Sequence, residues 1–337
     1  MNIFNKLYQY GSTYLVDFFI ARVSLKKVDI TKPNLVILLG GIGDTILAFD
    51  ALRLFTKASH NFDLVVSKSH ISILKLNVPE VRSFVTLQDV AHIKYKNIYF
   101  LKSGRKEKAA LLLSHLNQAS YHLNPVFDNI SPYRKVLNLL GKSKNFYAKK
   151  HMRDVFLEIL LPNTFLEKYC WYYPSSKKYK NIGIHVAGST PIKNLHVDTI
   201  KSIIHSRKDC TFHIFGSKLD HYKYSEIKHM SNVVYMVGVL PLSDLGAYLL
   251  KLDLLICPDS MLMHLANELN VEVVALMGSS LFETYGPSRS NPSNILSRNP
   301  SCSPCSRHVC QKFDGHSCVQ DIKAQEVLAV VDSLSAR

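Results

Sequence analysis

Short apolar runs that end at glycine, serine or aspartate, each followed by a longer helical stretch, recur along this chain and point to a parallel α/β architecture. In the first half the runs are Leu35 to Leu39, Leu64 to Ser67, Phe84 to Leu87 and Ile98 to Leu101. The rhythm restarts with Ile182 to Val186, Thr211 to Phe215, Val233 to Val237, Leu254 to Cys257 and Val273 to Met277. Each set predicts one doubly wound sheet with helices on its faces. The 337 residues suffice for two such cores. The expected domains are 1–170, opening with a helical extension, and 181–322. The aperiodic segment Trp171 to Lys180 joins them, and a last helix, 323–337, places Val327, Leu328, Val331 and Leu334 on one side.

Charge narrows the partners. Lys and Arg number 41 against 26 Asp and Glu, a net +15. Residues 1–170 hold 24 basic and 12 acidic side chains and the remainder 17 and 14, so the excess belongs to the first half. Such a field concentrates anions, whether nucleic acid, lipid headgroups or a phosphorylated substrate. Lys102, Arg105, Lys106 and Lys108, with Arg134, Lys135, Lys142 and Lys144, are the candidate contacts. No run of about 20 apolar residues is present, so a spanning helix is not expected. The first 27 residues do not read as a signal peptide, because Asp17 and Arg22 interrupt the apolar run. Leu15, Phe18, Phe19 and Val23 share helical spacing beside Lys6, Arg22, Lys26 and Lys27. A helix packed on the domain is preferred to one lying in a membrane interface.

Parallel sheets bind ligands beyond the carboxyl ends of their strands. Two sheets facing each other would enclose a cleft there. After the first run comes Gly40-Gly41-Ile42-Gly43-Asp44. A dinucleotide is disfavoured, since Ile46 stands where close helix packing asks for a third glycine and Asp44 would compete with a pyrophosphate. Asp44 is either a helix cap or a general base, the glycines allowing close approach. In the second half, Gly188-Ser189-Thr190-Pro191-Ile192-Lys193 combines small residues, hydroxyls and one cation, which suits a diphosphate. Pro258-Asp259-Ser260-Met261 ends another run, with His264 one helical turn further. These residues either cap and pack a helix or face a nucleotide from its N-terminus.

Taken together, VILLGGIGDTILAFDALRLF, IGIHVAGSTPIKNLHVDTI, LSDLGAYLLKLDLLICPDSMLMHLANELNVEVVALMGSS with the following YGP, and the cysteine-rich tail resemble glycosyltransferase family 9, the ADP-heptose:lipopolysaccharide heptosyltransferases and their relatives. The resemblance covers most of residues 34–334. It implies a GT-B fold, two Rossmann-like domains facing across a cleft, with acceptor on the first, nucleotide-sugar on the second, and the last helix packing back toward the first. Position by position, Asp44 matches the family's proposed catalytic base, with Gly40, Gly41 and Gly43 in the acceptor and cleft loop. Ser189, Thr190 and Lys193 match its donor-phosphate loop, and Asp259, Ser260 and His264 its donor-binding signature. Met261 stands where the family usually has glycine. The implied reaction is inverting transfer of heptose, or a related sugar, from an ADP-linked donor to an anionic glycolipid such as the lipopolysaccharide core. It needs no catalytic metal and places the enzyme in the cytoplasm or at the cytoplasmic face of the inner membrane.

Seven cysteines are too few and too uneven for a secreted disulfide scaffold. Cys170, Cys210 and Cys257 stand in apolar surroundings, whereas Cys302, Cys305, Cys310 and Cys318 fall together. Four thiolates at that spacing suit a tetrahedral zinc or iron site, structural because no coordination position stays open, with His308 and His316 as alternative ligands. Disulfides or reduced buried thiols are the plainer alternatives. Three other functions stay in view. One is a protein-modifying heptosyltransferase, and another is a catalytically silent relative, to which Met261 points. The third, a basic metal-containing nucleic-acid-binding protein, explains the charge and the cysteines but not the strand-end carboxylates, so no nucleic acid partner is expected.

Overall fold

A computed structural model describes residues 33–102, 120–123, 150–164 and 178–335, apart from 59–60, 82, 91, 163, 291, 299, 301, 306–309 and 311–317. The chain divides into two compact units, residues 1–166 and 167–337. The N-terminal helix expectation, the basic residues 105–108 and 134–144, Cys170, His308 and His316 fall outside the described residues.

The first unit is built on a parallel sheet of β1 (Asn34–Leu38), β2 (Phe62–Val66), β3 (Asn97–Lys102) and β4 (Ser120–Leu123), in the order β2-β1-β3-β4. All five residues of β1 are buried, as a strand covered on both faces requires. Leu35, Ile37, Val65, Ile98 and Phe100 form a core on one face with Val90 and Tyr95. Two helices follow β1, α1 (Ile42–Leu47) and α2 (Phe49–Lys57), and α2 buries Phe49, Leu52 and Phe55. A third, α3 (Met152–Leu160), lies against α2, where the Arg153 guanidinium donates to Asp50 at 2.6 Å.

The segment 84–87 is not the strand its apolar character predicts. Phe84 makes a single parallel bridge to Leu64, and the chain then turns into a helix at Leu87–Val90. Asp89 accepts hydrogen bonds from the backbone N–H and the hydroxyl of Thr86, which fixes a helix start where the strand would have continued.

The second unit holds six parallel strands, β5 (Asn181–His185), β6 (Thr211–Phe215), β7 (Val233–Tyr235), β8 (Leu254–Pro258), β9 (Glu272–Met277) and β10 (Ile295–Ser297), in the order β10-β9-β8-β5-β6-β7. The runs at 233–237 and 273–277 are strands, slightly re-bounded, while β4 and β10 had no signal strong enough to mark them. Helix α4 (Val197–Ser206) covers one face with Ile200, Ile203 and Ile204. The last helix, α6 (Ala324–Ser335), packs on α4 and sinks Val327, Val331 and Leu334 into this unit's own core. A further helix, α5 (Met261–Glu268), follows β8.

In each sheet the chain winds outward on one side and then returns to the other. The reversal lies between β1 and β3 in the first unit and between β5 and β8 in the second. Adjacent loops diverge at such a point and leave a crevice at the strands' carboxyl ends. No helix among the described residues is long and apolar enough to cross a membrane.

Candidate active site

The first reversal point carries Asp44. Register pairs Leu38 of β1 with Lys102 of β3, and the Leu39 N–H donates to the Lys102 carbonyl at 2.6 Å. The two strand ends are thereby held side by side. Lys102 Nζ donates to Asp44 Oδ1 at 3.0 Å, and the Gly41 N–H donates to Asp44 Oδ2 at 2.9 Å. Asp44 is therefore not the N-cap itself. It sits three residues inside α1 and reaches back to the cap residue's amide, while Gly43 forms the helix's second position. Gly40 allows this fold-back, because a Cβ there would lie 2.6 Å from Asp44 Oδ2 and 2.7 Å from Lys102 Cγ. The carboxylate keeps 14% of its side-chain surface open and Lys102 keeps 23%, so the pair is neither solvated nor sealed. Burial pulls the Lys102 ammonium's pKa down, and the Asp44 charge opposes that. Beneath the pair, Thr45 Oγ1 and His70 Nδ1 lie 3.0 Å apart. Lys102, expected as a contact for an acceptor, is the charge partner of Asp44.

The second reversal point carries the other constellation. The loop after β5 returns on itself through the Leu195 N–H to Val186 carbonyl bond, 2.9 Å, and through a 3₁₀ turn at Pro191–Lys193. Gly188 lets this loop approach the end of β8. A Cβ there would stand 2.5 Å from Lys193 Cβ and 3.1 Å from the Asp259 carbonyl oxygen. Lys193 Nζ donates to Asp259 Oδ2 at 2.5 Å, and the Ser280 hydroxyl donates to the same oxygen at 2.5 Å. His264 Nε2 stands 3.8 Å from Asp259 Oδ1. Burial pushes the Asp259 carboxyl's pKa up, but the Lys193 charge, His264 and the bonds from Lys193 and Ser280 outweigh it and hold the carboxyl below its ordinary range. Ser260 caps α5 by accepting the Met263 N–H at 3.4 Å, and Met261 is the first helical residue. Ser189 is exposed, and the Thr190 Oγ1 atom is buried with no hydrogen-bond partner among the described residues.

All six expected donor residues thus belong to two adjoining loops and one helix start. Asp259 is bonded to Lys193 rather than facing outward alone. Three participants escaped the sequence. Ser280 comes from the end of β9, and His185, the last residue of β5, lies 2.9 Å from Ser260 Oγ through its Nδ1. The third, Tyr224, is fully buried, and its hydroxyl reaches the carbonyls of Val186 and Leu195 at 3.1 and 2.8 Å, so one phenol pins both stems of the Lys193 loop. A tyrosine 31 residues from Lys193 leaves no local pattern to read. His185 was legible only in retrospect, since its strand borders β8.

Cys302, Cys305, Cys310 and Cys318 line one small pocket with Gly278, Ser279 and Ile192. All four are free thiols. Burial above all, with Cys310 and Cys302 adding to it, pushes the Cys318 thiol's pKa up. The expected metal site finds no support: no three His, Cys, Asp or Glu side chains among the described residues are grouped to hold an ion. Lining a common pocket is a looser condition than sharing one coordination sphere.

Residues 201–314 match the model of glycosyltransferase family 9 (heptosyltransferase). No curated protein matches the chain in sequence. Among solved structures, a glycosyl transferase family 9 protein from Veillonella parvula is 17% identical, with 92% of this chain and 98% of that one covered and a TM-score of 0.66. The E. coli ADP-heptose lipopolysaccharide heptosyltransferase II is 18% identical over 90% and 98%, with a TM-score of 0.64. The E. coli heptosyltransferase WaaC, solved with ADP, is 12% identical over 89% and 99%, with a TM-score of 0.62. The chain has the fold of these glycosyltransferases, and the resemblance seen in its motifs is upheld by the family match over the segment containing Asp259, Ser260 and His264.

Proposed function

We propose that this protein is an inverting glycosyltransferase that moves a heptose, or a closely related sugar, from an ADP-linked donor to an anionic glycolipid of the lipopolysaccharide-core type. The observation that carries the reading is the Lys193, Asp259 and Ser280 cluster beside the N-terminus of α5, at the reversal point of the second sheet. A cation held at a helix start is suited to the two phosphates of a nucleoside diphosphate. The α5 amides and the Lys193 ammonium face the charge that builds on a departing diphosphate, and stabilising that charge lowers the barrier. The ADP and ADP-heptose in the names of the structural neighbours support the choice of nucleotide.

In this reading Asp44 accepts the proton of the acceptor hydroxyl. Lys102 and the Gly41 amide orient its two oxygens and do not themselves transfer a proton. The oxygen attacks the anomeric carbon, the bond to the donor phosphate breaks on the opposite side, and the electron pair leaves with the nucleoside diphosphate. The basic first half supports an acidic acceptor, met at the cytoplasmic face of a membrane.

A thermal-shift panel of nucleoside diphosphates and nucleotide-sugars tests the donor assignment, since a ligand that binds the folded state raises its melting temperature. ADP-linked compounds are expected to stabilise the wild type and to lose that effect in Lys193→Ala. Equal shifts in both proteins would refute the site.

A further inference from the structure

His185 ends β5 directly beneath the helix start that the donor reading uses. Its Nδ1 and the Ser260 hydroxyl oxygen are 2.9 Å apart. The same oxygen accepts the Met263 N–H at 3.4 Å as the cap of α5. A serine hydroxyl has one proton and two lone pairs, and the cap engages one lone pair. The remaining lone pair and the proton are then governed by the direction of the His185 bond. When Nδ1 is bare, Ser260 donates downward to it. When Nδ1 carries the proton, His185 donates and the Ser260 O–H is released toward whatever lies in front of the helix.

Phosphate oxygens accept hydrogen bonds and cannot donate them. A Ser260 hydroxyl committed to His185 therefore offers a diphosphate nothing, whereas a released one offers a short, charge-assisted bond. Both arrangements belong to the neutral ring. Burial pushes the His185 imidazole's pKa down to about 4, against the opposing field of Asp220 on the loop after β6, so the imidazolium is disfavoured at neutral pH. The two tautomers carry the same net charge, so interconversion takes up no net proton. A ligand that accepts the Ser260 proton favours the form in which Nδ1 is protonated.

We infer that His185 is a positioning residue of the donor site, resting on the nucleoside-diphosphate reading above: its tautomer turns the Ser260 proton toward the diphosphate when the site fills. Histidine at this position does what a purely apolar strand end would not, since only a ring with an exchangeable donor and acceptor at one atom reverses the bond without moving the backbone.

Nitrogen-15 NMR of the wild-type protein at pH 7, with ADP as the probe, reads the tautomer directly. The His185 resonances are assigned by their absence in His185→Phe. The expected result is an Nδ1 without a proton in the free protein and a protonated Nδ1 at saturating ADP. Calorimetry supplies the second readout, with ADP titrated into the wild type, His185→Phe, Ser260→Ala and the double variant. Ser260→Ala is expected to weaken ADP binding roughly tenfold, the double variant no more than Ser260→Ala alone, and His185→Phe less than either, because His185 acts only through that hydroxyl, which stays in place. An Nδ1 state that ADP does not alter, or losses that multiply in the double variant, would overturn the inference while leaving the donor site intact. A wild type that does not bind ADP at all would overturn the donor reading and this inference with it.

Discussion

Lys193 and Asp259, 66 residues apart in sequence, meet at 2.5 Å across the ends of β5 and β8, and Ser280 bonds the same carboxylate oxygen. A lysine side chain is long and entropically expensive to fix. Here its ordering is completed within the fold, so a ligand arriving at α5 meets a cation already in place.

Replacing Asp259 removes this anchor and leaves Lys193 charged and largely buried. Asp259→Asn is expected to destabilise the protein by about 3 kcal/mol and to weaken nucleotide binding in parallel. Because the Asp259 carboxyl titrates below its ordinary value in the folded state, its contribution is present above about pH 4, the unfolded carboxyl's range, and is lost as pH falls through the folded pKa. Urea unfolding of both proteins across pH 3 to 7 checks this. The gap between them should be constant from pH 5 to 7 and close in acid.

Lys102 holds one Asp44 oxygen and Gly41 holds the other. Lys102→Met keeps the stem's volume and deletes the contact, so the carboxylate loses its fixed aim. We expect kcat to fall roughly 10- to 100-fold with nucleotide affinity unchanged, as steady-state kinetics and calorimetry would show. A loss confined to nucleotide affinity would place Lys102 elsewhere in the mechanism.

The Tyr224 hydroxyl serves two loop carbonyls, those of Val186 and Leu195. Tyr224→Phe is expected to cost about 1 to 2 kcal/mol in stability, as buried acceptors lose their donor. It should also weaken ADP binding, because the stems of the Lys193 loop are no longer tied. Chemical unfolding and ADP titration of the same preparation separate the two effects.

Burial lowers the pKa values of His185, His70 and His213. Such groups bind protons more readily when unfolded, so the stability they support is full above pH 6.5 and declines as pH falls toward their folded values. For His185 the window is pH 6.5 to about 4, and the loss reaches about 3 kcal/mol if the ring alone is counted. The urea midpoint should therefore begin to drop in the upper part of this window, between about pH 6.5 and 5, before carboxylates titrate appreciably. A flat profile there would contradict the burial of these rings.

The two-unit parallel architecture was legible because buried parallel strands are continuous apolar runs, and Leu35 to Leu39 or Val273 to Met277 leave little choice. The strand predicted at Phe84 was lost to local chemistry, as the Thr86 and Asp89 hydrogen bonds start a helix that apolar content does not register. Asp44, Lys193 and Asp259 could be picked out since acids and cations just beyond strands are exposed to function. Their partners Lys102, Ser280, His185 and Tyr224 are brought in by sheet order, which periodicity does not encode. The cysteine spacing suggested a zinc or iron site; the four cysteines line one pocket, but spacing along a chain does not fix where four sulfurs point.

In the proposed reaction Asp44 accepts the acceptor's proton in a sugar transfer from a nucleotide donor. The most direct test of that role is a transfer assay with ADP-heptose and a heptose-free lipopolysaccharide core acceptor, following sugar addition by mass spectrometry in the wild type and in Asp44→Asn. Product is expected with the wild type, and with Asp44→Asn a rate lower by about 10²- to 10⁴-fold while ADP-heptose binding persists. Equal rates in the two proteins would contradict it.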